Sequence, residues 1–157
     1  GYVFVSTDYG TGGALLKLAA EGGSVTAAEV YFTREMRNHY TTTVLVGDYL
    51  YGFSSAILTA MHFTTGKVAW RDRSVGKGNC IYAEQRLYCM SEDGAVGLIE
   101  ATPAAYREIS RFEIPRGGKA GAQGVLPTWS VPVIADGKLY LRDQDRLYCH
   151  DLRPAQR

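Results

Sequence analysis

The stretch Leu87-Tyr88-Cys89-Met90-Ser91 decides the fold, because three variants of it occur elsewhere along the chain. The variants are Val3-Phe4-Val5-Ser6, Leu50-Tyr51-Gly52-Phe53-Ser54 and Leu139-Tyr140-Leu141-Arg142-Asp143. Each is a short run of aromatic and aliphatic side chains, which is typical of a β-strand. Successive copies begin roughly 40–50 residues apart, and each is followed by a turn and a second apolar run. The sequence therefore predicts a tandem repeat built from short strands.

A strand repeat of this length is typical of a β-propeller, in which each repeat forms one four-stranded antiparallel blade. We expect an all-β partial ring of about 3.5 blades, because one blade alone cannot bury its own faces. The predicted blades span 1–33, 38–72, 75–115 and 129–152 within a single partial propeller domain over 1–157, followed by a polar tail at 153–157.

Within a blade we name the strands A (innermost) to D (outermost), and the turn signals place fourteen of them. Gly66, Asp93-Gly94 and Asp136-Gly137 each supply a residue suited to a tight hairpin turn. The glycine-rich segment 116–127 predicts a loop. The predicted strands are 2–7, 14–19 and 25–32 in the first blade; 40–46, 49–53, 57–63 and 67–71 in the second; 79–83, 86–91, 95–101 and 107–114 in the third; and 130–135, 138–142 and 146–151 in the fourth.

Composition excludes several classes of partner. Seventeen basic and sixteen acidic residues give a formal charge of +1, so we expect no nucleic-acid partner. No window approaches the ~18 apolar residues that a membrane-spanning helix needs, so we expect no membrane span. No signal peptide opens the chain, and its first residues match a strand. We therefore interpret the chain as the C-terminal fragment of a longer protein, whose remaining blades would be its partners.

The cysteines and histidines indicate no metal site. Cys80, Cys89 and Cys149 are an odd number without CxxC spacing, which argues against both a zinc site and a disulfide framework. Cys89 and Cys149 follow Leu-Tyr pairs in strand runs, where we expect them to be small buried hydrophobes. His39, His62 and His150 form no metal-ligand spacing, so no catalytic or metal residue is predicted.

Two segments resemble the repeat of the pyrroloquinoline-quinone-like (PQQ-like) β-propellers. Residues 60–70 carry Ala60, Thr65, Gly66, Lys67 and Trp70 at the spacing of that repeat. Residues 129–140 resemble its strand A–turn–strand B unit, and nearly the whole chain is covered by looser copies. The resemblance implies a structural role for Ala60, Gly66, Lys67 and Trp70, with Trp70 packed between adjacent blades. Degenerate copies put 30–31 and 106–107 near the tryptophan position in the first and third blades.

The same resemblance implies a function class. Family members are commonly exported, some as scaffolds in outer-membrane protein assembly, which implies a periplasmic or extracytoplasmic non-catalytic binding or scaffold module. One alternative is part of a PQQ-dependent quinoprotein alcohol or sugar dehydrogenase, and another is a sensor propeller attached to a signalling protein. The dehydrogenases hold PQQ with Ca²⁺ and usually carry an adjacent Cys-Cys pair. This segment lacks such a pair and matches no catalytic motif, so it indicates no cofactor by itself.

A binding face is predicted where the B–C turns and the connections between blades meet at one end of the propeller. Loops on a rigid scaffold commonly carry binding residues, and Trp, Tyr and Arg are favoured at interfaces. We expect a protein or a small-molecule ligand there. Acidic and basic side chains at 142–146 are expected to pair with one another on the surface. The binding-face candidates are Arg37, His39, Arg73, Lys77, Trp129 and Arg142.

Overall fold

A computed structural model describes residues 1–116 and 126–153, and these residues form fourteen strands and no helix. Residues 117–125 of the predicted glycine-rich loop and 154–157 of the predicted tail lie outside the described residues. The strands are β1 (Tyr2–Thr7), β2 (Gly12–Glu21), β3 (Ser24–Thr33), β4 (Val44–Val46), β5 (Tyr49–Ser54), β6 (Ile57–His62), β7 (Val68–Asp72), β8 (Gly78–Ala83), β9 (Arg86–Ser91), β10 (Ala95–Glu100), β11 (Glu108–Glu113), β12 (Val133–Ala135), β13 (Lys138–Asp143) and β14 (Arg146–Asp151).

The strands form four antiparallel sheets in chain order, which confirms the predicted all-β partial propeller. β1–β3 form a three-stranded sheet, β4–β7 and β8–β11 form four-stranded sheets, and β12–β14 form a second three-stranded sheet. Each strand pairs with its neighbour in sequence, so every sheet is an up-and-down meander. We call these sheets blades one to four.

The core lies in the seams, by which we mean the layers between consecutive blades. One hydrophobic cluster joins each neighbouring pair of blades, because each blade presents apolar side chains on both faces. The largest cluster lies between blades two and three and contains Tyr51, Phe53, Leu58, Ala60, Trp70, Val75, Cys80, Leu87, Cys89 and Ile99. Burial between blades therefore supplies the packing that a single blade cannot provide.

Trp70 crosses the seam between blades two and three. Its indole Nε1 donates a hydrogen bond of 2.7 Å to Thr102 O, and its ring meets Tyr106 edge-on at 5.7 Å. Tyr31 holds the equivalent place in blade one, since both residues follow a bulge between the last two strands of their sheets. The Tyr31 hydroxyl donates to Phe63 O at 2.7 Å in blade two. An aromatic donor on the outermost strand thus fastens each of these blades to the next.

The other residues of the repeat motif lie around Trp70 and the turn before it. Ala60 is fully buried and pairs with Trp70 in the β6–β7 ladder. Gly66 has a φ of +68°, and a Cβ there would lie 2.9 Å from the Tyr31 ring. Lys67 O accepts a hydrogen bond from His62 N at 2.8 Å, which closes the turn. A side chain at position 66 would therefore be disfavoured both by backbone strain and by the tyrosine against it.

The first strands of blades two and four are shorter than predicted. The predictions began at 40 and 130, whereas the ladders begin at Val44 and Val133. Pro132 has no N–H to donate, which explains the late start in blade four. In blade two, the Asn38 side-chain amide donates to Thr41 O at 3.3 Å, so this carbonyl bonds to a side chain.

Two further expectations are wrong. Cys149 is exposed on β14, because alternate residues of this strand face away from the seam. Asp143 is fully buried at the end of β13, where Thr128 Oγ1 and Arg116 Nε (3.3 Å) donate to its carboxylate. Its partners therefore include residues that precede blade four, and its carboxylate is not on the surface as expected. Separately, within the described ranges no helix is long and apolar enough to cross a membrane.

Candidate binding site at the channel mouth

Three equivalent residues of the repeat converge where the innermost strands begin. Lys77 directly precedes Gly78, which pairs with Ser91 at the end of β9. Counting the same number of residues back from the A–B turns of blades two and four reaches Tyr40 and Trp129. First strands are innermost in a propeller, so this position lies at one mouth of its central channel.

The aromatic rings at this position are in contact. Tyr40 and Trp129 stack with ring centroids 5.0 Å apart and planes 24° apart. His39 meets Trp129 edge-on at 5.9 Å and Tyr40 at 5.4 Å. Tyr9, from the turn between β1 and β2, meets His39 edge-on at 5.2 Å. Edge-on and offset arrangements are those that aromatic quadrupoles favour, so the rings stabilise one another.

A charged pair lies beneath the rings. Lys77 Nζ is 3.2 Å from Glu92 Oε1 and lies 5.3 Å from the centroid of the Tyr40 ring. Trp129 Nε1 donates to the same Glu92 oxygen at 2.8 Å. Glu92 belongs to the B–C turn of blade three. We name the set Tyr9, His39, Tyr40, Lys77, Glu92 and Trp129 the mouth cluster.

The hydrogen bonds fix the tautomer of His39. Lys77 Nζ lies 3.2 Å from His39 Nδ1, and an ammonium group can only donate, so Nδ1 accepts. The proton of the neutral ring is therefore on Nε2, which donates to the Tyr9 hydroxyl oxygen at 2.7 Å. The Tyr9 hydroxyl hydrogen then remains free to donate to a ligand, and this side chain is 85% exposed.

The segment that enters blade two holds buried polar atoms without partners. Arg37 Nε and Asn38 Oδ1 have no hydrogen-bond partner among the described residues. Burial, and then the nearby Glu92 carboxylate, raise the pKa of Tyr40 far above its usual value, so its hydroxyl stays protonated. Buried polar groups are normally hydrogen-bonded, so Arg37 Nε and Asn38 Oδ1 are available to water or to a ligand.

A cavity of about 530 Å³ opens beside Trp129. Arg142 lies at its border, where its Nε donates to Gln144 O at 3.1 Å and holds the guanidinium against the turn. Sites for small ligands commonly have volumes of about 300–1,000 Å³. The lining residues are Thr128, Trp129, Ser130, Arg142, Gln144 and Asp145.

The predicted binding-face residues divide into two groups. His39, Lys77 and Trp129 belong to the mouth cluster, and Arg142 borders the adjacent cavity. Arg37 lies against the B–C turn of blade two, where its N–H donates to Ser54 Oγ at 3.3 Å. Arg73 is exposed in the connection between β7 and β8. Sequence reasoning missed Tyr9, Tyr40 and Glu92, although alignment of the repeats on their A–B turns identifies Tyr40.

At this end of the propeller the carboxylates have hydrogen-bond or ion-pair partners, whereas several arginines form no ion pair among the described residues. The Asp8 carboxylate accepts a hydrogen bond from Ser55. The Glu92 carboxylate accepts from Trp129 and Lys77. The Asp143 carboxylate accepts from Thr128 and Arg116. Arg37, Arg73 and Arg142 form no ion pair with a carboxylate within residues 1–116 and 126–153. Guanidinium groups are thus available here, whereas these three carboxylates are already engaged.

The mouth cluster does not fit the Ca²⁺ and PQQ of the dehydrogenases. Calcium needs several convergent oxygen ligands, but Glu92 is the one carboxylate in the cluster and it faces the Lys77 ammonium. In the described part of the chain, no group of three or more His, Cys, Asp or Glu side chains could hold a metal ion.

Comparison with known proteins gives a fold. No protein-family model and no curated protein matches the chain. Among solved structures, the crystal structure of BamB from Moraxella catarrhalis is similar with a TM-score of 0.60 and 14% identity. The alignment covers 94% of this chain and 45% of BamB, so the chain spans less than half of that protein. At this identity the likeness shows the β-propeller fold alone.

Proposed function

We propose that this propeller is a non-catalytic binding module, which presents the mouth cluster to a protein segment that carries carboxylates. One observation carries the proposal: the cluster draws side chains from all four blades. Tyr9 comes from blade one, His39 and Tyr40 from blade two, Lys77 and Glu92 from blade three, and Trp129 from the entry to blade four. Such convergence on a rigid scaffold is typical of a recognition site.

The exposed part of the cluster has the chemistry of an interface anchor. Tyr9 is 85% exposed and Trp129 is 53% exposed, although both form hydrogen bonds on their inner sides. These bonds hold the rings in place before a partner arrives, which lowers the entropic cost of binding. Tryptophan, tyrosine and arginine dominate the energetics of protein interfaces.

Guanidinium groups that form no ion pair among the described residues favour an acidic partner. Arg142 borders the cavity beside Trp129, the Glu92 carboxylate of the mouth cluster is already engaged, and arginine binds carboxylates through two parallel hydrogen bonds. The cavity beside Trp129 is large enough for an apolar side chain of the partner. A peptide with alternating acidic and apolar residues would meet both requirements.

We also propose that the chain belongs to the PQQ-like repeat family and has an extracytoplasmic location. Membership of the PQQ-like repeat family rests on the motif that ends at Trp70, and an extracytoplasmic location rests on the same resemblance. The likeness to BamB supports the fold on which both depend. The quinoprotein dehydrogenase is less well supported, because Lys77 faces the one carboxylate of the mouth cluster.

The test uses a short synthetic peptide of alternating glutamate and leucine, with the matched lysine–leucine peptide as a control. We expect saturable binding of the acidic peptide by calorimetry, weakened by added salt because exposed charges are screened. Trp129→Ala and Arg142→Ala should each weaken binding roughly tenfold, the size expected for an interface anchor.

Arg107→Ala is the matched control, because Arg107 forms an exposed ion pair with Glu100 away from the mouth cluster. It should bind like the unmodified chain. Equal binding of both peptides, or affinities that neither Trp129→Ala nor Arg142→Ala changes in folded protein, would contradict the proposal.

A further inference from the structure

Two cysteines face each other across neighbouring strands of blade three. Cys80 on β8 is the cross-strand partner of Cys89 on β9. Cys80 is 4% exposed and Cys89 is fully buried, and both thiols are free. They lie in the seam between blades two and three, where Cys80 Sγ contacts Tyr51 O at 3.9 Å. Residues directly opposite one another in a ladder project to the same face of the sheet.

The register of the β8–β9 ladder determines whether Cys80 and Cys89 form a hydrogen-bonded or a non-hydrogen-bonded pair. Glu84 and Gln85 have φ values of +47° and +63°, so β8 and β9 are joined by a two-residue type I′ turn. Ala83 and Arg86 close this hairpin and form a hydrogen-bonded pair. Hydrogen-bonded and non-hydrogen-bonded pairs alternate along an antiparallel ladder, and the register has no irregularity here. Three steps from the turn, Cys80 and Cys89 are therefore a non-hydrogen-bonded pair.

This type of pair brings the side chains closest together. Its Cα atoms are about 4.5 Å apart, at the short end of the ~4.4–6.8 Å that disulfides span. A bridge can therefore form without moving the strands apart. Such a bridge forms and breaks by thiol–disulfide exchange, so it is reversible.

We propose that Cys80 and Cys89 form a reversible cross-strand disulfide by exchange with an external disulfide. One cysteine thiolate attacks a sulfur of the external disulfide and releases the first external thiol. The second cysteine thiolate then attacks the mixed disulfide, forms the Cys80–Cys89 bond and releases the second external thiol. The protein loses two protons and two electrons, and the external disulfide is reduced to two thiols.

The environment of the pair governs the rate of this exchange. Burial, and then contact with the Cys80 thiol, raise the pKa of Cys89 well above its usual value, so the reactive thiolate is scarce in the closed seam. We therefore expect oxidation to be slow in the folded chain and fast when the seam opens or before it has formed.

The test uses the full chain with Cys149→Ser, which removes the exposed third thiol and leaves the pair intact. The chain is incubated with oxidised glutathione, alkylated, unfolded and digested with trypsin without reduction. Trypsin cleaves after Arg86, so the bridge would link two separate peptides, 78–86 and 87–107. We expect this linked pair, a decrease of two hydrogen masses in the intact chain, and loss of both signals on reduction.

A control separates pairing from general oxidation. Cys80→Ala in the same background should take up one glutathione at most and yield no linked peptides. The inference is overturned if, after oxidation both of the folded chain and during refolding, Cys80 and Cys89 are recovered as free thiols or only as mixed disulfides with glutathione. Neither result depends on a ligand at the mouth cluster, so the proposal stands or fails independently of the proposed function.

Discussion

Trp70 and Trp129 both connect different blades, but they do so in opposite surroundings. Trp70 is only 9% exposed, donates to the backbone carbonyl of Thr102 and lies within the largest hydrophobic cluster. Trp129 is 53% exposed, donates to the Glu92 carboxylate and stacks on Tyr40 beside a charged pair. Tryptophan therefore occupies a buried apolar seam at position 70 and a solvent-exposed polar mouth at position 129.

The difference shows where this propeller concentrates its stability. In the seam, apolar area is removed from water on both sides of the indole, and the hydrogen bond leaves no buried donor unsatisfied. At the mouth, half of the indole still faces water, so less of its apolar area stabilises the isolated chain. A partner that binds at the mouth would bury the exposed part of this ring.

The largest expected effect is the loss of the Trp70 ring. Trp70→Ala should lower the free energy of unfolding by about 3–5 kcal/mol, because it leaves a cavity between blades two and three and removes the donor to Thr102 O. Urea unfolding followed by circular dichroism measures this change.

Trp70→Phe separates the two contributions. It keeps most of the ring but removes the Nε1–H, so it should cost less than the alanine variant. A loss below about 1 kcal/mol for Trp70→Ala would show that the seam does not depend on this residue.

Alkaline pH should weaken the same seam through Tyr51. Burial raises the pKa of Tyr51 to about 12, from an ordinary value of 10.0. Between pH 10 and pH 12 the Tyr51 hydroxyl loses its proton in the unfolded chain but keeps it in the folded chain. The contribution of Tyr51 to the free energy of unfolding is therefore constant below about pH 10 and falls as the pH rises above it. The loss from this one group should reach about 2–3 kcal/mol near pH 12.

Urea unfolding measured from pH 8 to pH 11 tests this slope, and Tyr51→Phe provides the comparison. The variant should lose less stability over this range, although Tyr31 and Tyr106 also have raised pKa values and keep part of the slope. If the free energy of unfolding fell equally with pH in the unmodified chain and in Tyr51→Phe, Tyr51 would not be a cause of the alkaline loss of stability.

The fold could be predicted because its signals are local. Alternating apolar residues and turn residues such as Gly66 and Asp136-Gly137 identify strands without knowledge of the partners. The starts of β4 and β12 were wrong because Pro132 has no N–H to donate and the Asn38 side chain occupies the Thr41 carbonyl. The third blade has Ser110 at the place equivalent to Trp70, and Tyr106 packs on Trp70 from the other side of the seam.

The site was less predictable because it depends on contacts between blades. His39, Lys77 and Trp129 were proposed from their places in the repeat, and the structure brings them together. Glu92 and Tyr9 lie in turns whose sequences indicate only a solvated hairpin. The Cys80–Cys89 pair was missed for a similar reason, since no CxxC spacing marks two residues that meet across a hairpin.

The smallest expected effect on stability belongs to Trp129. Trp129→Ala should change the free energy of unfolding by no more than about 0.5–1 kcal/mol, because the indole is half exposed and Glu92 keeps its pair with Lys77. The measurement is the same urea titration used for Trp70→Ala, so that the two tryptophans are compared directly. A loss similar to that of Trp70→Ala would mean that the mouth cluster holds the blades together. In that case its exposed aromatic surface could not be attributed to recognition, and weaker peptide binding by this variant would reflect damage to the fold.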